Sequence, residues 1–189
     1  EARMTQSRIP AALPILIAAA VMMTLTMGLR QSLGIFMQPA VQEIAITVSE
    51  FTFAVAVQNL LWGFCQPLAG AAAVRWGYRP VMVFGAVLYC TGLVLLGLAE
   101  GMLAVMLGAG ICIGVAMACA SVAMAMAVTT RTVSPQRRST MLGVMSAAGS
   151  IGTLLAAPIG QYLQELDGWR LGVLGFAALA AVVVPAAWI

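Results

Sequence analysis

Six stretches of this chain carry no charge at all: residues 9–29, 51–74, 80–99, 101–130, 139–164 and 171–189. The shortest is 19 residues and the longest 30. A helix needs about 20 apolar residues to cross ~30 Å of hydrocarbon. A membrane-spanning strand needs only about 10, with side chains alternating in polarity, and no such alternation runs through these windows. The pattern therefore predicts an all-α membrane protein. It is one six-transmembrane-helix bundle filling residues 1–189, with helices near 11–36, 51–73, 80–99, 102–128, 140–163 and 171–189. Only 8% of the residues are charged and 62% are hydrophobic, whereas about a quarter of a soluble domain is charged. So few charges cannot cover a water-exposed surface, which excludes a soluble enzyme, a nucleic-acid binder and a disordered tail.

The charges that exist are sorted by side. Arg3 and Arg8 precede the first window, Arg75 and Arg79 lie between the second and third, and Arg131, Arg137 and Arg138 lie between the fourth and fifth. The opposite ends hold Glu43, Glu50, Glu100, Glu165 and Asp167, with Arg170 as their one basic neighbour. Basic loops stay on the cytoplasmic side, so the amino terminus and the two arginine junctions are expected there, in a multi-pass protein of the cell inner (plasma) membrane. Glu1 is not a start methionine, and the last window ends at Trp188-Ile189 without a basic flank. A longer protein is expected, with a carboxy-terminal six-helix half as partner.

Four cysteines fall inside apolar windows, with no Cys-x-x-Cys pair and no histidine in the chain to complete a zinc site. No cofactor or metal is expected. Without an imidazole, and with every acid at or beyond a window's end, this half lacks a group inside the membrane to relay a proton near neutral pH.

Two junctions echo one another. Pro67-Leu68-Ala69-Gly70 is followed by Trp76-Gly77-Tyr78-Arg79, and Pro158-Ile159-Gly160 by Asp167-Gly168-Trp169-Arg170. Each pairs a Pro-to-Gly step with a later Gly-aromatic-Arg, at equivalent points of two three-helix units and on opposite sides of the membrane. That is the pattern of a 3+3 inverted repeat.

With this echo the sequence resembles the major facilitator superfamily. The family's motif Gly-x-x-x-Asp-Arg-x-Gly-Arg-Arg/Lys matches here at Gly70, Arg75, Gly77 and Arg79. Val74 stands where the acid belongs, so the family's charged latch to its second half lacks its carboxylate, and Tyr78 replaces the first basic residue after Gly77. The resemblance covers the whole chain and implies half of a twelve-helix fold. Within the superfamily, Ser32-Leu33-Gly34-Ile35-Phe36, Arg75-Trp76-Gly77-Tyr78-Arg79 and Gly168-Trp169-Arg170 look most like monocarboxylate and oxalate/formate-type carriers. Gly110 occupies the place of the buried arginine that antiporters carry four residues before Gly114, which argues against a drug/proton antiporter.

Arg30 is the one charge within an apolar span. Counted along the expected helix it falls in its outer third. A guanidinium there either faces a water-filled cavity, where it would grip a carboxylate by two parallel hydrogen bonds, or it snorkels outward or pairs with Glu43. Gln31, Gln58 and Asn59 are the other candidates for substrate binding, against the alternative of hydrogen bonds between helices. The small-residue series Gly110, Gly114, Ala118 and Gly152, Ala156, Gly160 read as helix-packing faces.

The expectation is a secondary active transporter, not an enzyme, moving a small organic anion such as a monocarboxylate by alternating access. The alternatives are a drug or sugar carrier of the same fold, or a non-transporting six-helix scaffold.

Overall fold

The computed structural model describes residues 9–120 and 122–188. Arg3, Arg8 and Ser121 lie outside the described residues. The described chain is helical almost throughout: α1 (Ile9–Ile44), α2 (Val48–Trp76), α3 (Tyr78–Gly97), α4 (Met102–Val105), a π-helical segment (Met106–Cys112), α5 (Ile113–Cys119), α6 (Val122–Thr132) and α7 (Pro135–Trp188). α4 through α6 form one apolar run, Met102–Arg131, long enough to cross a membrane. α7 is broken at Asp167 (φ −155°, ψ 32°) and Gly168 (φ 84°, ψ 175°), which divides it into arms 135–166 and 169–188.

The ends of α2 are set by caps rather than by charges. Thr47 and Glu50 form a capping box at the start of α2, with Thr47 N and Oγ1 donating to Glu50 Oε2 at 2.8 and 2.9 Å and Glu50 N donating to Thr47 Oγ1 at 3.1 Å. α2 runs on past Arg75 until Gly77, whose φ of 94° and ψ of 162° suit glycine alone. α1 continues through Pro39 to Ile44 instead of ending near residue 36. A charge at the membrane boundary costs little in an exposed helical turn, so the windows between charges understate the helices.

Small residues let the helices touch backbone to backbone. A Cβ added at Gly28 of α1 would lie 2.6 Å from the Ala156 Cβ of α7, and Thr24 Oγ1 donates across the same crossing to Ala148 O at 3.0 Å. On the long span, Gly110 faces Ala54 O and Gly114 faces the Gln58 backbone of α2. Both series read as packing faces therefore meet neighbouring helices. A third, on α3, has no counterpart in the sequence reading: Gly85 abuts Cys119 and Ala116, Gly92 abuts Ile113 and Gly108, and Gly97 abuts Leu174. Phe36 of α1 meets Phe176 edge-on at 6.3 Å.

The buried hydroxyls settle on their own helices, as a bundle in lipid favours. Thr26 donates to Met22 O, Ser32 to Gly28 O and Thr129 to Ala125 O. The outside is the reverse of a soluble protein's: Leu103, Leu154, Phe64 and Leu68 are each about 70% exposed. An apolar surface that extensive belongs in hydrocarbon. The fold is a membrane helical bundle.

At one end, three elements are tied by a single carboxylate and guanidinium. Glu43, late in α1, accepts from Trp169 Nε1 and from Arg170 Nε, both at 2.6 Å. Arg170 also donates to Gly97 O at 2.7 Å and Ala99 O at 2.9 Å, which closes off the carbonyls at the end of α3. At the other end the aromatic after Gly77 is held differently, with Arg131 over the Tyr78 ring at 5.5 Å.

Candidate substrate site

α1 and α2 run antiparallel and diverge over part of their length, leaving a cleft of about 330 Å³. Its lining includes Arg30, Leu33, Gly34 and Met37 from α1, and Phe51, Thr52, Val55, Gln58 and Asn59 from α2. Three of the four residues expected to bind substrate thus meet in one place. Gln31 does not join them: one step round the helix from Arg30, it is exposed and absent from the lining.

Arg30 is held from behind. Its guanidinium carbon lies 4.7 Å from the centre of the Trp62 ring, a cation–π contact that covers one face and leaves the N–H edge free to donate. Trp62 is the middle residue of α2 (Val48–Trp76), and Arg30 lies close to the middle of α1 (Ile9–Ile44). α1 extends well beyond residue 36, so Arg30 lies nearer the middle of its helix than the outer third expected from the sequence. The alternative pairing of Arg30 with Glu43 is also overturned, since Glu43 is engaged by Arg170.

The two amides of α2 behave differently. Gln58 is 3% exposed and donates through Nε2 to the sulfur of Met117 on α5 at 3.3 Å, so it joins the cleft to the long span. Asn59 is exposed and donates back to Val55 O at 2.8 Å, which orders its carboxamide at the cleft edge. Among the described residues, no cluster of His, Cys, Asp or Glu could hold a metal ion. The polar chemistry of the cleft is one fixed cation, two amides and the Thr52 hydroxyl. It can bind an anion; it contains no nucleophile paired with a base.

A family model described as the Major Facilitator Superfamily matches residues 15–189. The chain belongs to the major facilitator superfamily. Among similar proteins are monocarboxylate transporter 11 of Mus musculus, 29% identical over 161 residues that make up 85% of this chain and 36% of that protein, and monocarboxylate transporter 3 of Rattus norvegicus, 27% identical over 80% of this chain and 31% of that protein. The Fujikurins efflux protein of Gibberella fujikuroi is 25% identical over 62% of this chain and 25% of its own length. The chain spans about a third of the length of the first of these relatives.

The superfamily motif sits at the Arg131 end of the bundle. Gly70 is half-buried, Gly77 makes the turn between α2 and α3, Arg75 lies 5.8 Å from the Trp76 ring and Arg79 is exposed. With Val74 in the acidic place, 66% exposed, the junction is knit by Arg131 on Tyr78 instead. The residue that sequence reasoning left without a role is Arg170. Its signal was present in the echo: Gly77 and Gly168 adopt the same rare conformation, φ 94° and 84° with ψ 162° and 175°, each followed by an aromatic that carries an arginine.

Proposed function

We propose that the full-length protein is a secondary active transporter that carries a small organic anion, a monocarboxylate, across the plasma membrane. The chain crosses six times with its amino terminus in the cytoplasm, and a second six-helix half completes the path. Carriers of this superfamily expose a central site to one side and then the other. The work is done by differential binding to the two states, without covalent chemistry.

The observation that carries this reading is Arg30, a permanent cation inside the long helix α1, backed by Trp62 and open to a cleft that also holds Thr52, Gln58 and Asn59. A charge inside a spanning helix is expensive unless it faces water or a counter-charge. A carboxylate meets the requirement with two parallel hydrogen bonds. The names of the similar monocarboxylate transporters support the same substrate class. Gly70, Arg75, Gly77 and Arg79 belong, in this reading, to the cytoplasmic junction against the second half.

The test is uptake by the full-length protein in liposomes. Arg30→Gln should reduce carboxylate uptake at least tenfold at unchanged thermal stability, and Arg30→Lys, a point charge without the planar fork, should recover part of it. Uptake kinetics equal to wild type in Arg30→Gln would remove the anion-binding role.

A further inference from the structure

More than half of the cleft wall is apolar, and the apolar part lies on one side of the cation. Leu33 and Met37 follow Arg30 along α1 by three and seven residues, about 4.5 and 10.5 Å at 1.5 Å per residue. Phe51 and Val55 face them from α2. Leu33 is 4% and Phe51 2% exposed, so this wall is fixed by the core behind it. Thr52, Gln58 and Asn59 supply the remaining polarity, and no second cation lines the cleft among the described residues.

The cleft volume of about 330 Å³ is many times the space one water needs. An acid of two or three carbons has only about four to six non-hydrogen atoms and would leave water against Leu33, Met37, Phe51 and Val55. A single cation with an apolar run of ~10 Å beside it matches a molecule with one carboxylate and a hydrocarbon tail.

Resting on the carboxylate reading of Arg30, we propose that this cleft selects monocarboxylates with an apolar tail of about five to eight carbons, branched or aryl, over the two- and three-carbon acids. The carboxylate meets Arg30 and the tail lies along Leu33, Met37, Phe51 and Val55. Each methylene that enters the apolar wall should tighten binding roughly fourfold.

Calorimetric titration of the purified full-length protein with acetate, butyrate, hexanoate, phenylacetate and hexanamide tests this. Affinity should rise about fourfold per added methylene up to hexanoate, phenylacetate should bind at least as well, and hexanamide should not bind. Met37→Gln, at a half-buried position, should flatten the series; Arg30→Gln should abolish binding of every acid. If acetate and hexanoate bind equally and the amide stays inert, the tail preference is wrong and the carboxylate reading stands. If hexanamide binds as tightly as hexanoate, the carboxylate reading fails and the proposal falls with it. A series as steep in Met37→Gln as in wild type would also overturn the proposal, by removing the cleft as the place where the tail sits.

Discussion

Arg170 and Glu43 stand 127 positions apart in sequence and 2.6 Å apart in space. Their contact joins the end of α1 to the break in α7, and the same guanidinium covers the carbonyls of Gly97 and Ala99 after α3. The two partners are not equivalent. Glu43 could be replaced by another acceptor, whereas Arg170 satisfies three acceptors at once. Arg170→Gln should therefore lower stability by about 1–3 kcal/mol, since two backbone acceptors lose a charged donor. Glu43→Gln should cost less than about 1 kcal/mol, because its side chain is half exposed and the amide oxygen still receives Trp169. Thermal melts of the two variants check the order; equal losses would show that the carbonyl contacts contribute nothing.

The same contact sets a pH response. The Arg170 hydrogen bond first, and the Trp169 hydrogen bond second, hold the Glu43 carboxyl below its ordinary value of 4.5. A carboxyl whose folded-state pKa is depressed contributes stability that is fully present above the ordinary value and is lost as pH falls through the lowered one. Melting temperature should stay flat on this account from pH 8 to 6 and decline below about 4.5. Glu50, held down by the backbone and hydroxyl of Thr47, acts with the same sign. Glu43→Gln should thus shrink the acid-side decline without removing it. A decline of the same size in the variant would clear Glu43 of any part in it.

The helices themselves were legible, because long uncharged windows have no other stable form in lipid. Their ends were not read from those windows, although Thr47-x-x-Glu50 and Gly77 are signals of known meaning. A charge does not mark a helix end, because a helix in the headgroup region tolerates charge. Arg30 was legible as an exception, but its place along the helix depended on where α1 stops. The pairing of Glu43 with Arg170 and the stacking of Arg30 on Trp62 depend on how separate helices align, and that alignment is fixed by contacts such as Gly28 on Ala156. The π-helical segment Met106–Cys112 left no mark in the sequence; along it Gly108 packs on α3 and Gly110 on α2.

The paired glycines invite a direct test. Gly168 has open space where a Cβ would point, and Gly77 has only Pro80 Cδ at 3.9 Å. Any cost of alanine there comes from the backbone alone. Both lie where φ is positive and ψ near 170°, a region left almost entirely to glycine. Gly77→Ala and Gly168→Ala should each cost roughly 1–3 kcal/mol. Gly143→Ala, in ordinary helix with nothing within 4 Å, should be neutral or stabilising by up to ~1 kcal/mol. Melts that fail to separate Gly168 from Gly143 would show that the break in α7 relaxes to another geometry.

Trp62 is where the site can be loosened without touching its charge. The ring lies behind Arg30, 4.7 Å from the guanidinium carbon, and is absent from the lining of the cleft. Its indole nitrogen is buried and has no acceptor among the described residues, so Trp62→Phe removes no hydrogen bond and tests the ring face alone. A phenyl face attracts a cation less strongly than an indole, and leucine not at all. Stacking of this kind is worth about 0.5–2 kcal/mol, or roughly two- to thirtyfold in binding. KM for a carboxylate should rise in the order wild type, Trp62→Phe, Trp62→Leu, with kcat changed less than KM, because the loss is in holding the guanidinium ready rather than in moving the helices. Arg30→Gln in the Trp62→Leu background should add less than it does alone, since the two side chains act as a unit. Strict additivity would show that Trp62 supports only the packing of α2.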